Sequence, residues 1–304
     1  MLAGIDVGSN TVRLLIGESE GRKVTPFRYE RRITRLAGGY SEEKGLSPES
    51  MERTLSALSE LTTIARDNGV SQLRAVGTQA LRQACNRQDF ISKVHNVCGL
   101  DIEVVTGPEE ARLSMAGILA ALDPVPECCL GFDIGGASTE FTFYHQGQIQ
   151  LTTSFPLGVV RLAECFNTTA ERSLVIAEFV EDLDARFKQA GIIDAVLHDD
   201  CILVGTAGTA TTLAALCLGL VRYDWRRVNN FRIPRLYLQD LARRLAPLSP
   251  TQRESLPGME AGRGDLIGPG LQLVLALLKC FSKTDLLVSD FGLLEGLLLD
   301  LGCL

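Results

Sequence analysis

The chain has no GxxxxGK[ST] loop, no CxxC pair and only three histidines, and each lack closes a route. Without the first, a Walker-type phosphate loop is excluded. His95, His145 and His198 are scattered, so no Ser-His-Asp constellation and no histidine-built metal centre presents itself. The nine cysteines are odd in number, and none has zinc-ligand spacing. A disulfide framework is not expected in a chain of 304 residues, and free thiols in a reducing, cytoplasmic compartment are the expectation. No signal peptide precedes the first strand pattern, which starts almost at Met1. Excess positive charge is lacking too. The net charge is −7, so neither nucleic acid nor an anionic membrane is the expected partner, and a polyanionic ligand must be held by local positive groups. One stretch lacks any charge: the 21 residues from Cys201 to Val221 are long enough to span a bilayer. Its four threonines and three glycines, and its change from a β-branched run to an Ala/Leu run around "GTAGT", predict a buried strand, a loop and a helix instead.

What is present is an ordinary globular composition, 46% hydrophobic and 22% charged, of a length that suggests about two domains. Two stretches share one pattern, "GIDVGSNTVRLLIGE" (4–18) and "GFDIGGASTEFTFY" (131–144). Each has an apolar run ending in Asp, a turn of small residues, and a second apolar run. Strands are predicted over 2–6, 11–17 and 22–29, then a helix over 47–69 capped by Ser47 with Pro48 in its first turn. A strand at 72–78, one helix over 80–97, a strand at 101–106 and a helix over 108–122 follow. "DPVPE" (123–127) reads as a boundary, after which the order restarts. Strands at 128–133, 138–145, 148–154, 201–205 and 285–289 and a closing helix over 291–301 complete the pattern. The reading is α/β, with two domains, 1–122 and 123–290, that each open on three antiparallel strands and then alternate helix with strand. Two such domains facing each other would place the two turns at a cleft.

The turns carry the candidate chemistry. Gly8, Ser9, Asn10 and Thr11 in the first, and Gly135, Gly136, Ala137, Ser138 and Thr139 in the second, combine close backbone approach, amide donors and hydroxyls suited to phosphate. Asp6 and Asp133 end the preceding strands, where a carboxylate could hold a metal ion or a water. A third loop, "GTAGTATT" (205–212), follows a strand and opens a helix, so Gly208 and Thr209 are phosphate-binding candidates. "TGPEEARL" sets Glu109 and Glu110 in the first turn of a helix. A capping box of Thr106 with Glu109 explains one acid, and a carboxylate at a cleft could take a proton from water. Cations come from Arg28, Arg31, Arg32 and Arg35, from Arg82, and from Arg226, Arg227 and Arg232.

Taken together these stretches, with "RLAGG" (35–39), "GTQALRQACN" (77–86), "FPLGVVRLAE" (155–164), "GRGDLIGPG" (262–270) and "SDFGLLEGLL" (289–298), resemble the exopolyphosphatase / guanosine pentaphosphate phosphohydrolase (Ppx/GppA) family. The resemblance implies two actin/Hsp70/sugar-kinase-like (RNase H-like) domains, with the last helix, about 291–304, packed back on the first. It implies metal-dependent release of terminal phosphate from inorganic polyphosphate or from pppGpp. Glu110 is then the base that activates water, Arg82 a phosphate clamp, and Asp133 and Glu140 the carboxylates associated with Mg²⁺, or with Mn²⁺ in its place. A homodimer is expected. Competing readings are a kinase or ATPase of the same superfamily and a non-catalytic sensor of (p)ppGpp or polyphosphate. Two positions depart from the family pattern: Leu294 stands where Arg is frequent, and Gly77 where Ala is frequent. The chain stops short of the C-terminal helical domains of long members, which weakens the expectation of processive action on very long polyphosphate.

Overall fold

The computed structural model describes residues 1–136, 138–166, 168–260 and 262–303. It divides into two compact units, Met1–Ala120 with Gly292–Leu304, and Ala121–Phe291.

In the first unit, β1 (Leu2–Val7), β2 (Thr11–Glu20) and β3 (Lys23–Ile33) form an antiparallel meander. After α1 (Pro48–Asp67), β4 (Gln72–Gly77) joins β1 in parallel. Then come α2 (Gln79–Gln83), α3 (Arg87–Cys98), β5 (Ile102–Val104), parallel to β4, and α4 (Gly107–Ala121). The sheet order is β3-β2-β1-β4-β5. Ser47 caps α1 as its sequence predicts, its hydroxyl accepting from the Ser50 amide, with Pro48 at the first helical position. Strand alternation sends Ala3, Ile5 and Val7 of β1, with Val12, Leu14 and Ile16 of β2, onto Leu55, Leu58, Leu61 and Ala65 of α1.

The other face of that sheet is covered by the closing helix, Leu293–Gly302, through glycines that permit near contact. A methyl on Gly4 would lie 3.2 Å from Leu297 Cβ, and one on Gly17 would lie 2.9 Å from Leu298 Cδ2. The same helix meets α4 more closely still. A Cβ on Gly296 would fall 1.9 Å from the Leu113 carbonyl oxygen, and one on Gly117 1.9 Å from that of Gly292. Only hydrogen fits at either position. Leu294 is buried here, which places an apolar side chain in the core rather than a cation at an anion site. Gly77 is explained in the same way: its missing methyl leaves room for Leu81, whose Cδ1 would lie 2.4 Å from it.

One helix expected over 80–97 is two. It breaks at Ala84–Asn86 because the Asn86 side chain pairs with the main chain of Leu46, accepting from its amide and donating to its carbonyl, both at 2.9 Å. An amide side chain that mimics a strand partner holds residue 86 out of the helix.

The second unit repeats the plan. It runs β6 (Cys128–Ile134), β7 (Thr139–His145), β8 (Gln148–Phe155), α5 (Val159–Cys165), α6 (Thr169–Gln189), α7 (Ile193–Leu197), β9 (Ile202–Thr206), α8 (Ala207–Leu218), α9 (Trp225–Val228), β10 (Phe231–Pro234), α10 (Arg235–Leu245), α11 (Pro250–Glu254), α12 (Ile267–Cys280) and β11 (Asp285–Val288). The closing helix is therefore α13. The order is β10-β11-β9-β6-β7-β8: a meander β6-β7-β8, then β9 and β11 in parallel. The addition is β10, an antiparallel edge strand that its short, proline-ended sequence did not predict. Phenylalanines fill this core, with Phe155 and Phe179 edge-to-face at 5.2 Å and Phe187 stacked on Phe281 at 5.6 Å. The uncharged run divides into β9 and the 12-residue α8, and among the described residues no helix is long and apolar enough to cross a membrane.

Candidate active site

The two Asp-led turns are built by one set of bonds. In the first unit the Gly8 amide donates to the Thr11 carbonyl at 3.0 Å, closing the turn between β1 and β2. The Ser9 carbonyl then accepts from Ala37, and that of Asn10 from Thr34 and Arg35. In the second unit the Gly135 amide donates to Ser138 at 2.9 Å, the Gly135 carbonyl accepts from Val159, and that of Gly136 from Val160 and Arg161. Each turn thus spends its carbonyls on the segment behind it, and in the second unit that segment is the first turn of α5. The Ser9 and Asn10 amides meet no carbonyl among the described residues. N–H groups left over in this way form an anion-binding concavity. Ala137 lies outside the described residues.

Two of the threonines named as phosphate-binding candidates use their hydroxyls inside the protein. Thr139 is fully buried and donates to the Leu157 carbonyl at 2.6 Å, which ties β7 to the segment before α5. Thr209 is buried beneath Gly270 and donates to the Ile134 carbonyl at 3.4 Å. Strand alternation turns the first inward, and the helix face of α8 turns the second inward. Both hydroxyls therefore donate to main-chain carbonyls within the second unit. Ser138 and Thr11 are half-buried.

Asp6 is 2% exposed and binds Arg13, its register partner on β2, through Oδ2, with Nε at 2.9 Å. Its Oδ1 is buried with no hydrogen-bond partner. Such an atom in a chain of this size marks a place where a further donor or a cation is accommodated. In the second unit Asp133 and Glu140 face each other directly across β6 and β7, so both carboxylates lie on one face of the sheet. Ser154 donates to Glu140 Oε1 at 2.8 Å. Two carboxylates are a hard, oxygen-only donor pair. Among the described residues no group of three His, Cys, Asp or Glu converges that could enclose a metal unaided. That set fits an ion that retains water and shares substrate oxygens, as Mg²⁺ does, and does not fit a closed zinc site.

The two acids of α4 have separate partners. Glu109 binds Arg112 through two bonds of 2.8 and 2.9 Å, and that hydrogen bonding holds its carboxyl below the usual range. The Thr106 hydroxyl accepts from the Glu109 amide at 3.3 Å, so half of the expected capping box forms. Arg112 continues to Asp300 on α13, as does Arg74, which also reaches Glu103. Glu109 therefore belongs to a network that fastens the closing helix. Glu110 points elsewhere. Arg82 Nη1 donates to Glu110 Oε2 at 2.6 Å and to the Val105 carbonyl at 3.0 Å. Both side chains are about 30% exposed, and no other described residue engages Nε or Nη2 of Arg82.

In the third loop Ala207 takes a positive φ of 59° as α8 begins. Arg263 lies over Gly208 so closely that a Cβ there would meet Nη2 at 2.1 Å, and Arg263 is held by Glu260. Arg263 was not singled out from the sequence. The signal for it was present, since "GRGD" carries an arginine between glycines. Of the other candidate cations, Arg28 and Arg32 bind Glu30, Arg32 binds Glu60, and Arg232 binds Asp285. Arg226 stacks on Trp225.

Two sheets that share one five-strand order, the second extended by β10, each with an Asp-led turn after its first strand, define an actin- and sugar-kinase-like two-domain protein. Comparison with known proteins places it further. The model of the Ppx/GppA phosphatase family matches residues 15–302. The chain is 31% identical to exopolyphosphatase 2 of Mycobacterium tuberculosis over 99% of its length and 98% of that protein. A crystal structure of the Aquifex aeolicus Ppx/GppA phosphatase, in its type II variant, superimposes with a TM-score of 0.84 at 30% identity, covering 98% of each chain. An exopolyphosphatase from Cytophaga hutchinsonii gives 0.81 at 25% identity, over 97% of this chain and 95% of that one. The chain belongs to the Ppx/GppA phosphatase family.

Proposed function

We propose that the protein is an exopolyphosphatase, releasing orthophosphate from the end of an inorganic polyphosphate chain by in-line attack of water. The observation that carries the reading is Glu110. It is a partly exposed carboxylate at the head of α4, oriented by a 2.6 Å bond to Arg82 on a separate helix. Oriented and solvent-accessible, Glu110 Oε takes the proton of the attacking water. Arg82 offers Nε and Nη2 to a phosphoryl oxygen, while Nη1 keeps the base in place. The turn amides at Ser9 and Asn10 and at Gly136 and Ser138 neutralise and position phosphate oxygens, and Gly208 with Arg263 does so at the third loop. Asp133 and Glu140 would hold Mg²⁺, which would supply positive charge to offset that of the phosphate oxygens. Phosphoryl transfer needs this positioning and charge compensation more than covalent catalysis.

Phosphate release should be measured with Mg²⁺ on short polyphosphate, long polyphosphate and pppGpp in parallel, beside Glu110→Gln. Release from a polyphosphate, reduced at least about a hundredfold in the variant, is expected. Release from pppGpp alone would move the substrate to the nucleotide. No release by the folded, metal-supplied protein would favour a binding sensor, and transfer to ADP a kinase.

A further inference from the structure

Among the described residues, five that are not glycine take a positive φ: Arg35, Gln146, Ala207, Asn230 and Ser282. A left-handed backbone disfavours a residue with a Cβ, so each needs a reason. Three have a local one. Gln146 lies in the two-residue turn between β7 and β8. Asn230 follows the cap of α9, and asparagine tolerates the conformation. Ser282 follows the cap of α12, where a left-handed residue is a common helix stop. Ala207 and Arg35 have no such reason. Ala207 stands at the third loop, where Gly208 and Arg263 meet. Arg35, with a φ of 49°, stands at the first turn.

The bonds around Arg35 show what its conformation does. The Thr34 and Arg35 amides donate to one acceptor, the Asn10 carbonyl, at 3.0 and 2.9 Å, and the Ala37 amide donates to that of Ser9 at 2.9 Å. The Gly38 amide closes back on the Arg35 carbonyl at 2.8 Å. The left-handed step thus turns the chain after β3 so that residues 34–37 wrap the turn between β1 and β2. It also sets an arginine one hydrogen bond from the Asn10 peptide, within a side chain's reach of the Ser9 and Asn10 amides. Arg28 and Arg32 of the same run are taken up by Glu30 and Glu60. Arg35 is exposed, and no described residue engages its guanidinium. Thr34 beside it is 2% exposed, with a hydroxyl that meets no partner. An unengaged cation and an unsatisfied hydroxyl, at a turn with two unused amides, make a place for an anion.

We propose that Arg35 is a substrate-binding residue: its guanidinium holds phosphate oxygens at the first turn, beside the Ser9 and Asn10 amides, and the disfavoured backbone is kept because it places the side chain there. The ligand class is a condensed phosphate, and the inference rests on the reading of the protein as a phosphohydrolase acting on one. A fork of donors on a delocalised charge suits phosphate oxygens, and a strained residue at such a place points to a functional constraint.

Binding and stability then move in opposite directions at this position, which a structural role does not produce. Arg35→Gly removes the guanidinium and relieves the backbone. It should leave the urea midpoint unchanged or higher, raise KM for inorganic tripolyphosphate about tenfold or more, and change kcat little. Arg35→Gln removes the charge and keeps the backbone strain, so it should share the rise in KM without any gain in stability. Ser282→Gly relieves the same kind of strain in the other unit and should leave KM unchanged. Calorimetric titration of tripolyphosphate into Glu110→Gln, and into Glu110→Gln combined with Arg35→Gly, reads binding apart from turnover, and the second protein should bind at least about tenfold more weakly. Binding that depends on Arg35, without phosphate release by the unaltered protein, would sink the proposed reaction and leave the role of Arg35 standing. A folded Arg35→Gly with unchanged KM and affinity overturns the inference. So does a lowered urea midpoint with KM unchanged, which would make position 35 structural.

Discussion

Replacing Gly296 by Ala sets two physical effects against each other. Gly296 lies within α13, where alanine is favoured over glycine by about 1 kcal/mol through helix propensity alone. The contact with α4 points the other way. A methyl would sit 1.9 Å from the Leu113 carbonyl oxygen and 2.6 Å from its carbon. A carbon and an oxygen do not approach much closer than about 3.2 Å, and the obstacle is main chain, which no rotamer change can move. The helix must therefore shift by more than about 1 Å away from α4. That shift also disturbs its lower face, where Leu297 and Leu298 lie against Gly4 and Gly17, and where Leu294, Leu297 and Leu298 are buried. Overpacking of a closed contact costs about 1–3 kcal/mol, and backbone movement places this case at the upper end. The net expectation is a loss of about 1–2 kcal/mol, a large share of a domain stability of about 5–15 kcal/mol. Urea unfolding followed by tryptophan fluorescence and circular dichroism measures it. Gly107→Ala is the control: it lies at the start of α4, a methyl there meets nothing within 4 Å, and it should be neutral or slightly stabilising. If Gly296→Ala proves as stable as the unaltered protein, or more so, the close packing of α13 on α4 is refuted.

Other expectations are equally direct. Thr139→Val should lower stability by about 1–3 kcal/mol by leaving the Leu157 carbonyl unsatisfied, with the KM for substrate unchanged. Arg82→Ala should lower kcat by releasing Glu110 and raise KM by removing two donors, and Arg82→Lys should restore neither fully, because a point charge cannot hold both directions. A thiol reagent at pH 7.5 should label Cys85, Cys165 and Cys303 rapidly. The remaining six should react slowly until the protein unfolds, since burial raises Cys129 and Cys217 to about 12 and Cys280 to about 11. A thiol whose folded value is raised stabilises the fold below its unfolded value and loses that contribution as pH climbs. The urea midpoint should therefore hold to about pH 8 and fall between about pH 9 and 12, less steeply in Cys129→Ala.

Much of the plan is written in local signals. The Asp-led turns are legible because glycine, serine and asparagine between two apolar runs leave few other conformations, and Ser47-Pro48 announces α1 in two residues. Burial of polar groups is less legible. Thr139 and Thr209 lie in segments that read as phosphate-binding, yet their hydroxyls serve the carbonyls of Leu157 and Ile134, 18 and 75 residues away, partners that no local pattern reveals. The break at Ala84–Asn86 has the same origin, because what stops the helix is Leu46, 40 positions earlier. Arg263 and Gly208 meet through a fold that the spacing between them does not encode.

The glycines of α13 show why such information is absent from local sequence. "GLLEGLLLDLG" reads as an amphipathic helix with poor formers at its start and middle, and propensity alone would mark Gly296 as a defect. The structure gives the residue another meaning: it is where α4 and α13 approach to main-chain contact. The head of α4 carries Glu110 and Glu109, and Glu109 reaches Asp300 of α13 through Arg112. The closing helix thus bears on α4 twice, by glycine contact and by an ion network, with Glu110 one residue from the second anchor. A base that must hold its carboxylate in line with an attacking water gains from a helix fixed in this way. It follows that Asp300→Ala, far along the sequence from the proposed base and loosening only the network, should lower kcat more than it changes KM. An unchanged kcat would mean that the Arg82 bond alone positions Glu110.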